Sequence, residues 1–296
     1  MTEFILEETC LFHNLQSLEE SLDIIESIVE TAEFITDSEV CALSLVEDFY
    51  NLTIGGIGIG DLLYANQSNG EVRDIILRLD IAITKAEHFV KASHTDEHYG
   101  LDRILAKGDG CLISSNSFPR ERWDEERMFN VFCIGEVRQA VRNIFLVQKK
   151  QEKDLNIYKS IMFDEIYFHC ELSFKDLSLD YNTHISTLIK HLSYLNDHAL
   201  VEFMSEKQDH EIIRTASALY GVDISAESPN TRRNAGAMNE RKIKIGGEDI
   251  CCEWHTKILP TKGRIHFFAG HNRSDAIAAI AGTKIILGIC CEHLST

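Results

Sequence analysis

The chain has 296 residues, 44% of them hydrophobic and 26% charged, a globular composition long enough for two domains. No window approaches the run of about 18 apolar residues that a membrane span needs, and the acidic N-terminus MTEFILEETC lacks the basic n-region of a secretory signal. A net charge of −18 excludes nucleic-acid binding by the surface as a whole, because phosphate contacts demand a basic face.

That charge is uneven. Arg232 to Thr296 holds ten Lys/Arg against six Asp/Glu, a net +4, which leaves −22 to the first 231 residues. The pattern reads as a basic module on an acidic carrier. Nine cysteines without a C-x-x-C pair read as reduced thiols in a cytoplasm.

In chain order, residues 16–35 repeat Leu18, Leu22, Ile25, Ile28, Val29, Ala32 and Ile35 at helical spacing, with acids on the other face. Further helices are predicted over about 38–50 and about 71–92, and a long segment from about 121 to 150 continues the pattern through Val137, Val141 and Ile144. The first half therefore reads as a helical bundle. Its Gly55–Asp61 stretch, GGIGIGD, lacks the spacing of a phosphate-binding loop and is read as a connector. Beyond about residue 160, Phe163–Leu172 reads as a strand. Helices follow from Asn182 and over about 209–219, and Glu227–Arg233 reads as a loop. Four strand candidates close the chain, Arg241–Gly246, Asp249–Lys257, Arg264–Phe268 and Lys284–Cys290. The expected class is α+β: an acidic helical domain over 1–157 and a small α+β domain over 158–296, with a basic antiparallel meander over 240–296.

Side chains alternate faces along a strand, so Cys251, Glu253, His255 and Lys257 share one face, as do Arg264, His266 and Phe268 on the next strand. A hairpin loop of residues 258–263 sets His255 opposite His266 and Lys257 opposite Arg264, with Trp254, Ile265 and Phe267 turned toward a core helix. Two imidazoles, a Lys and an Arg on one open patch supply the base, proton donor and fixed positive charge that RNA cleavage by 2′-OH attack requires. The competing reading is a solvated sheet face with cross-strand charge pairs. Cys251-Cys252-Glu-Trp-His255 and Cys290-Cys291-Glu-His293 form an imperfect echo, which offers Cys251, His255, Cys291 and His293 as a zinc set. Buried cysteine is the plainer reading of these thiols. His184, His191 and His198 recur every seven residues, about 10 Å apart along a helix, and read as a polar flank. Arg138 and Arg142 read as a salt-bridged helix surface.

The β-α-α-β-β-β order, a Lys on one strand and the following Gly263-Arg264-Ile265-x-Phe267 strand resemble the RelE/HigB-type toxin fold over about 160–296. That family consists of small bacterial ribonucleases with a basic sheet face, neutralised by antitoxins. The resemblance implies charge-stabilising roles for Lys257 and Arg264 and acid/base roles for His255, His266 and His293. It implies no cofactor, and RNA or the ribosome as partner through the basic sheet face. The pattern W-H-x-K…G-R-I-H-F…H-L is also similar to proteins of bacterial mobile and antiphage islands, which implies a place in phage defence. The alternatives are a non-catalytic interaction or sensor subunit that binds a protein through its acidic helices, and a zinc-stabilised binding module. No membrane partner is expected.

Overall fold

Three short apolar runs in the first half, TEFIL, CALSLV and GCLI, are buried along almost their whole length. That pattern belongs to the central strands of a parallel sheet covered on both faces, not to a helix with one wet side. The computed structural model describes residues 1–12, 22–54, 56–64, 70–91, 98–114, 123–270 and 273–295. They form two compact units, Met1–Lys150 and Gln151–Thr296, where the sequence reading divides the chain at 157/158.

In the first unit these runs are β1 (Thr2–Leu6), β2 (Cys41–Val46) and β6 (Gly110–Ile113). The small hairpin β3 (Thr53–Ile54) and β4 (Ile57–Gly58) holds part of the glycine-rich connector. Strands β5 (Glu87–Phe89) and β7 (Met128–Val131) flank the sheet, whose order is β5-β2-β1-β6-β7 with every pair parallel. Helices α1 (Leu22–Thr36), α2 (Ile59–Tyr64), α3 (Gly70–Thr84), α4 (Tyr99–Lys107) and α5 (Ile134–Val147) connect the strands. The stripes expected on α1, α3 and α5 are buried, through Ile25, Ile28, Val29, Leu79 and Val141 among others.

The α+β class therefore holds for the chain, and the helical-bundle expectation for its first half is corrected. The expected helix over 38–50 contains β2. The predicted 71–92 helix ends at Thr84 and is followed by β5, and 121–150 contains both β7 and α5. Strands of three to six residues in continuous apolar runs carry no two-residue alternation to set them apart from helix. The part of the first predicted helix before Leu22 lies outside the described residues.

The second unit begins with α6 (Glu152–Met162) and β8 (Ile166–Phe168). A long helix follows, α7 (Tyr181–Tyr194) and α8 (Leu200–Met204) joined through a π turn at Leu195–Ala199, then α9 (Asp209–Tyr220) and β9 (Ile224–Ala226). Two short helices, α10 (Pro229–Arg233) and α11 (Ala235–Asn239), lead to β10 (Lys242–Ile245), β11 (Glu248–Cys251), β12 (Trp254–Lys257) and β13 (Arg264–Phe268). The unit closes with α12 (Asp275–Ala281) and β14 (Ile285–Cys291). The main sheet runs β8-β14-β13-β12-β9, antiparallel except where β8 meets β14. The expected strand Asp249–Lys257 is two strands in two sheets, because the chain bends at Cys252, whose N–H donates to the Arg241 carbonyl at 2.8 Å.

One sheet face packs on the long helix, where Phe203 meets Trp254 edge-on at 4.7 Å and Phe267 at 5.8 Å. His191 sits inside this layer, hydrogen-bonded to the Thr256 hydroxyl. The polar flank expected from the seven-residue histidine repeat is thus interrupted by a buried imidazole. Arg142 is likewise buried, not part of an open helix surface. On the opposite sheet face, the β10–β11 hairpin and α12 cover an apolar cluster of Ile243, Ile245, Ile250, Cys252, Ile277 and Ile286. A Cβ at Gly288 would lie 2.5 Å from the Cys252 sulfur and 3.0 Å from Ile243 Cδ1. Gly288→Ala should therefore destabilise this unit by about 1–3 kcal/mol through overpacking. Urea unfolding followed by Trp254 fluorescence in a Trp123→Phe background measures it, and an unchanged midpoint contradicts the packing account.

Candidate functional site

Each unit buries carboxylates. In the first, the chain runs outward from β1 through β2 to β5, then returns to add β6 and β7 on the other side of β1. The crevice at the carboxyl ends of β1 and β6 is the topological switch point, where open α/β sheets bind ligands. Here Glu7 and Glu8, directly after β1, fill it, and both are fully buried. Glu7 accepts from Leu101 N at 2.8 Å and from Thr9 Oγ1 at 3.3 Å, and its Oε1 lies 2.8 Å from His98 Nδ1. Glu8 accepts from Tyr99 N and, at 3.2 Å, from Gly100 N. These amides are the free donors of the first turn of α4, whose dipole favours negative charge. Gly100 is required, since a Cβ there would lie 2.8 Å from Glu7 Oε2. The seat that a bound phosphate takes in this architecture is filled by the protein's own acids, which argues against nucleotide binding there.

Burial, with the neighbouring Glu7 charge second, pushes the Glu8 carboxyl up to about 7. A carboxyl whose pKa is raised on folding adds stability that is complete below its unfolded value and is lost as pH rises through the folded one. The first unit should lose on the order of 3 kcal/mol between about pH 5 and pH 8. Trp123 fluorescence in a Trp254→Phe background follows this, and Glu8→Gln should flatten the dependence.

In the second unit, strand register decides the geometry. His255 pairs with His266 and Lys257 with Arg264 across β12 and β13, as alternation predicts, and Trp254 and Phe267 face the long helix. The imidazole centroids are 4.9 Å apart. The expected open cationic face is corrected, however. His266 is 2% and Arg264 6% exposed. The Arg264 fork donates to the Leu259 carbonyl at 2.7 Å and the Pro260 carbonyl at 2.8 Å, bracing the hairpin loop. Lys257 Nζ lies 3.4 Å from an Asp223 oxygen. His293 is exposed beyond the end of β14.

The residue that organises the imidazoles is Glu227, which the sequence reading assigns to a loop. It directly follows β9, whose Ser225 pairs with His255, and alternation turns Glu227 to the same face. Its Oε1 lies 3.3 Å from His255 Nδ1, 3.6 Å from His266 Nδ1 and 2.7 Å from Arg241 Nε. Arg241 precedes β10 and is held by Nη1 donating to the Ala237 carbonyl at 2.7 Å. All four converging atoms are buried, and none makes a hydrogen bond of acceptable geometry. The far edge of the His255 ring is held, its Nε2 lying 3.1 Å from Ser225 Oγ. Burial drives the His255 pKa down to about 4 against the pull of Glu227, with Lys257, Arg264 and Arg241 lowering it further. Burial first, then His255 and Arg241, drives His266 to about 3. Both rings are neutral at pH 7, with lone pairs rather than charge to offer. The only sequence signal for Glu227 was its two-residue spacing from Ser225 beside a strand of three residues.

Among the described residues, Glu227, His255 and His266 are the one group of three with ligand atoms close enough to share a metal ion, all within 4.8 Å of one another. The zinc set read from the sequence is not assembled. Of its members only His255 is in the cluster, while Cys251 is directed at the Met238 carbonyl 4.0 Å away. Compared with known proteins, the chain matches no family model, no curated protein and no solved structure. The RelE/HigB likeness therefore rests on the sequence motif alone.

Proposed function

We propose that the C-terminal unit is a metal-binding module that holds one zinc-class dication through Glu227, His255 and His266. The observation that carries this reading is the spacing of three buried ligand atoms that make no well-directed hydrogen bond, the Glu227 oxygen being shared with the Arg241 guanidinium at 2.7 Å. A zinc ion with bonds of about 2.0–2.1 Å sets tetrahedral ligands about 3.3 Å apart. The His255–Glu227 and His266–Glu227 separations of 3.3 and 3.6 Å match that edge and exceed the usual N–H···O range of about 2.7–3.2 Å. The His255 nitrogen opposite the cluster lies 3.1 Å from the Ser225 hydroxyl, an outer-shell contact of the kind that fixes the ring orientation a metal needs. Two nitrogens and one oxygen favour zinc and its neighbours over magnesium or calcium, which prefer all-oxygen shells.

RNA cleavage by His255 and His266, supported by Lys257 and Arg264, is the weaker reading. The paired imidazoles favour it, but both are deeply set, and Arg264 is engaged by carbonyls of its own loop. Among the described residues no helix is long and apolar enough to cross a membrane, and nothing favours a lipid partner.

Metal-free full-length chain titrated with zinc should take up one ion and gain thermal stability, since the ion binds the folded state. His266→Ala should abolish uptake while far-UV circular dichroism stays native, and Glu227→Gln should abolish it with a lowered Tm, because Arg241 loses its counter-charge. Cys251→Ser and His293→Ala should retain it. Uptake that survives Glu227→Gln and disappears in Cys251→Ser would restore the cysteine-based set. Absence of uptake by the wild-type chain would sink the proposal.

A further inference from the structure

The cluster contains one carboxylate, and the charge around it has the wrong sign for a dication left to itself. Arg241 Nε lies 2.7 Å from Glu227 Oε1, the oxygen toward which both imidazoles point. The buried Arg264 stands across the strands from Lys257, two residues from His266 on the same face. Other charges nearby are already matched: Lys257 with Asp223 at 3.4 Å and Arg232 with Glu253 at 3.2 Å. Glu227, Arg241 and Arg264 thus sum to +1, and a dication held by the lone pairs of the two imidazoles would raise this to +3. Burying uncompensated charge is costly enough that proteins avoid it by pairing.

Three protein ligands also leave the fourth position of a tetrahedral ion open. The cluster meets solvent on its His255 side, where that side chain is 13% exposed against 4% for Glu227 and 2% for His266. Cys291 lies on the same face as Arg264, its partner in register. Among the described residues, its side chain is the one protein alternative on that face for the fourth position.

We infer that the metal-loaded cluster binds a small exogenous oxyanion of the phosphate class, with the ion taking one oxygen and the Arg241 guanidinium supplying the adjacent positive charge. This inference rests on the metal reading above and gives the cluster a ligand class. It also gives Arg241 two roles: counter-cation to Glu227 in the empty cluster and anion-selecting charge in the loaded one. A free phosphate ion and a phosphodiester carry the same ligating oxygens, and the titration separates them.

The test uses the full chain loaded with cobalt(II), whose visible d–d bands report coordination. Adding inorganic phosphate should shift and saturate those bands. A dinucleoside phosphodiester added in parallel identifies the source: equal or tighter binding means that an esterified phosphate reaches the ion, and binding of phosphate alone means a free oxyanion. Arg241→Gln should weaken phosphate binding at least tenfold while cobalt affinity holds or rises, because a like charge has been removed. Arg241→Lys should restore most of the phosphate affinity, which separates charge from packing. Bands unmoved by both anions on a cobalt-loaded chain would overturn the inference and leave the metal reading standing. So would phosphate affinity unchanged in Arg241→Gln, or a cobalt–thiolate charge-transfer band that vanishes in Cys291→Ser, since Cys291 would then fill the fourth position. A chain that takes up no cobalt at all fails the metal reading itself.

Discussion

A buried carboxylate has to be compensated, and the second unit is arranged around the compensation of Glu227. Removing one partner of such a group costs about 3–5 kcal/mol because the other charge is left unpaired. Three separate stretches of chain converge on its one oxygen: β12 through His255, β13 through His266, and the link from α11 to β10 through Arg241. The position of Arg241 in turn fixes the bend that divides β11 from β12, because its carbonyl receives the Cys252 N–H. The carboxylate is thus tied to the point at which the chain leaves the small hairpin sheet and enters the main one. What reads as a site is also a junction of the fold, which is why its side chains are deeply set and its rings neutral.

The first unit solves the same problem with different donors. Glu7 and Glu8 follow the central strand, where a parallel sheet gathers its functional loops, and their charge is met by the opening turn of α4. Amide donors at a helix start stabilise negative charge without adding a cation. The two clusters therefore differ although both are buried acids. In the first, every carboxylate oxygen accepts at least one hydrogen bond. In the second, the converging nitrogen and oxygen atoms are close but unsatisfied.

How far each feature was legible follows from what strand alternation encodes. Register across the β12–β13 hairpin was readable because loop length and two-residue periodicity fix which side chains face each other, and His255 does pair with His266. Alternation assigns a side chain to a face and is silent about what covers that face. The imidazoles were expected in water for that reason, although Arg241 returns over them from a distant turn. Glu227 escaped notice because β9 has only three residues, too few to display a period. In the first half, the amphipathic stripes of α1, α3 and α5 were clear. The strands between them, buried on both faces, gave apolar runs that a helical template absorbs equally well. The parallel sheet was invisible for the same physical reason that makes it stable.

Charge partition makes the same point at larger scale. Along the sequence, the last 65 residues look like a basic module because they sum to +4. In three dimensions they fold together with α6, α7, α8 and α9 into one unit that carries 16 Lys/Arg and 20 Asp/Glu, a net −4 beside −14 for the first unit. Several of the cations in that stretch have structural partners. Arg241 meets Glu227, Arg232 meets Glu253, and Lys257 meets Asp223. Arg264 braces the 258–263 loop, and Arg273 donates to the carbonyls of Gly270, Thr283 and Lys284. Arg241 and Arg264 are directed inward, while Arg232 and Lys257 are matched by carboxylates nearer the surface, and charge held in this way does not form a face that tracks a polyanion.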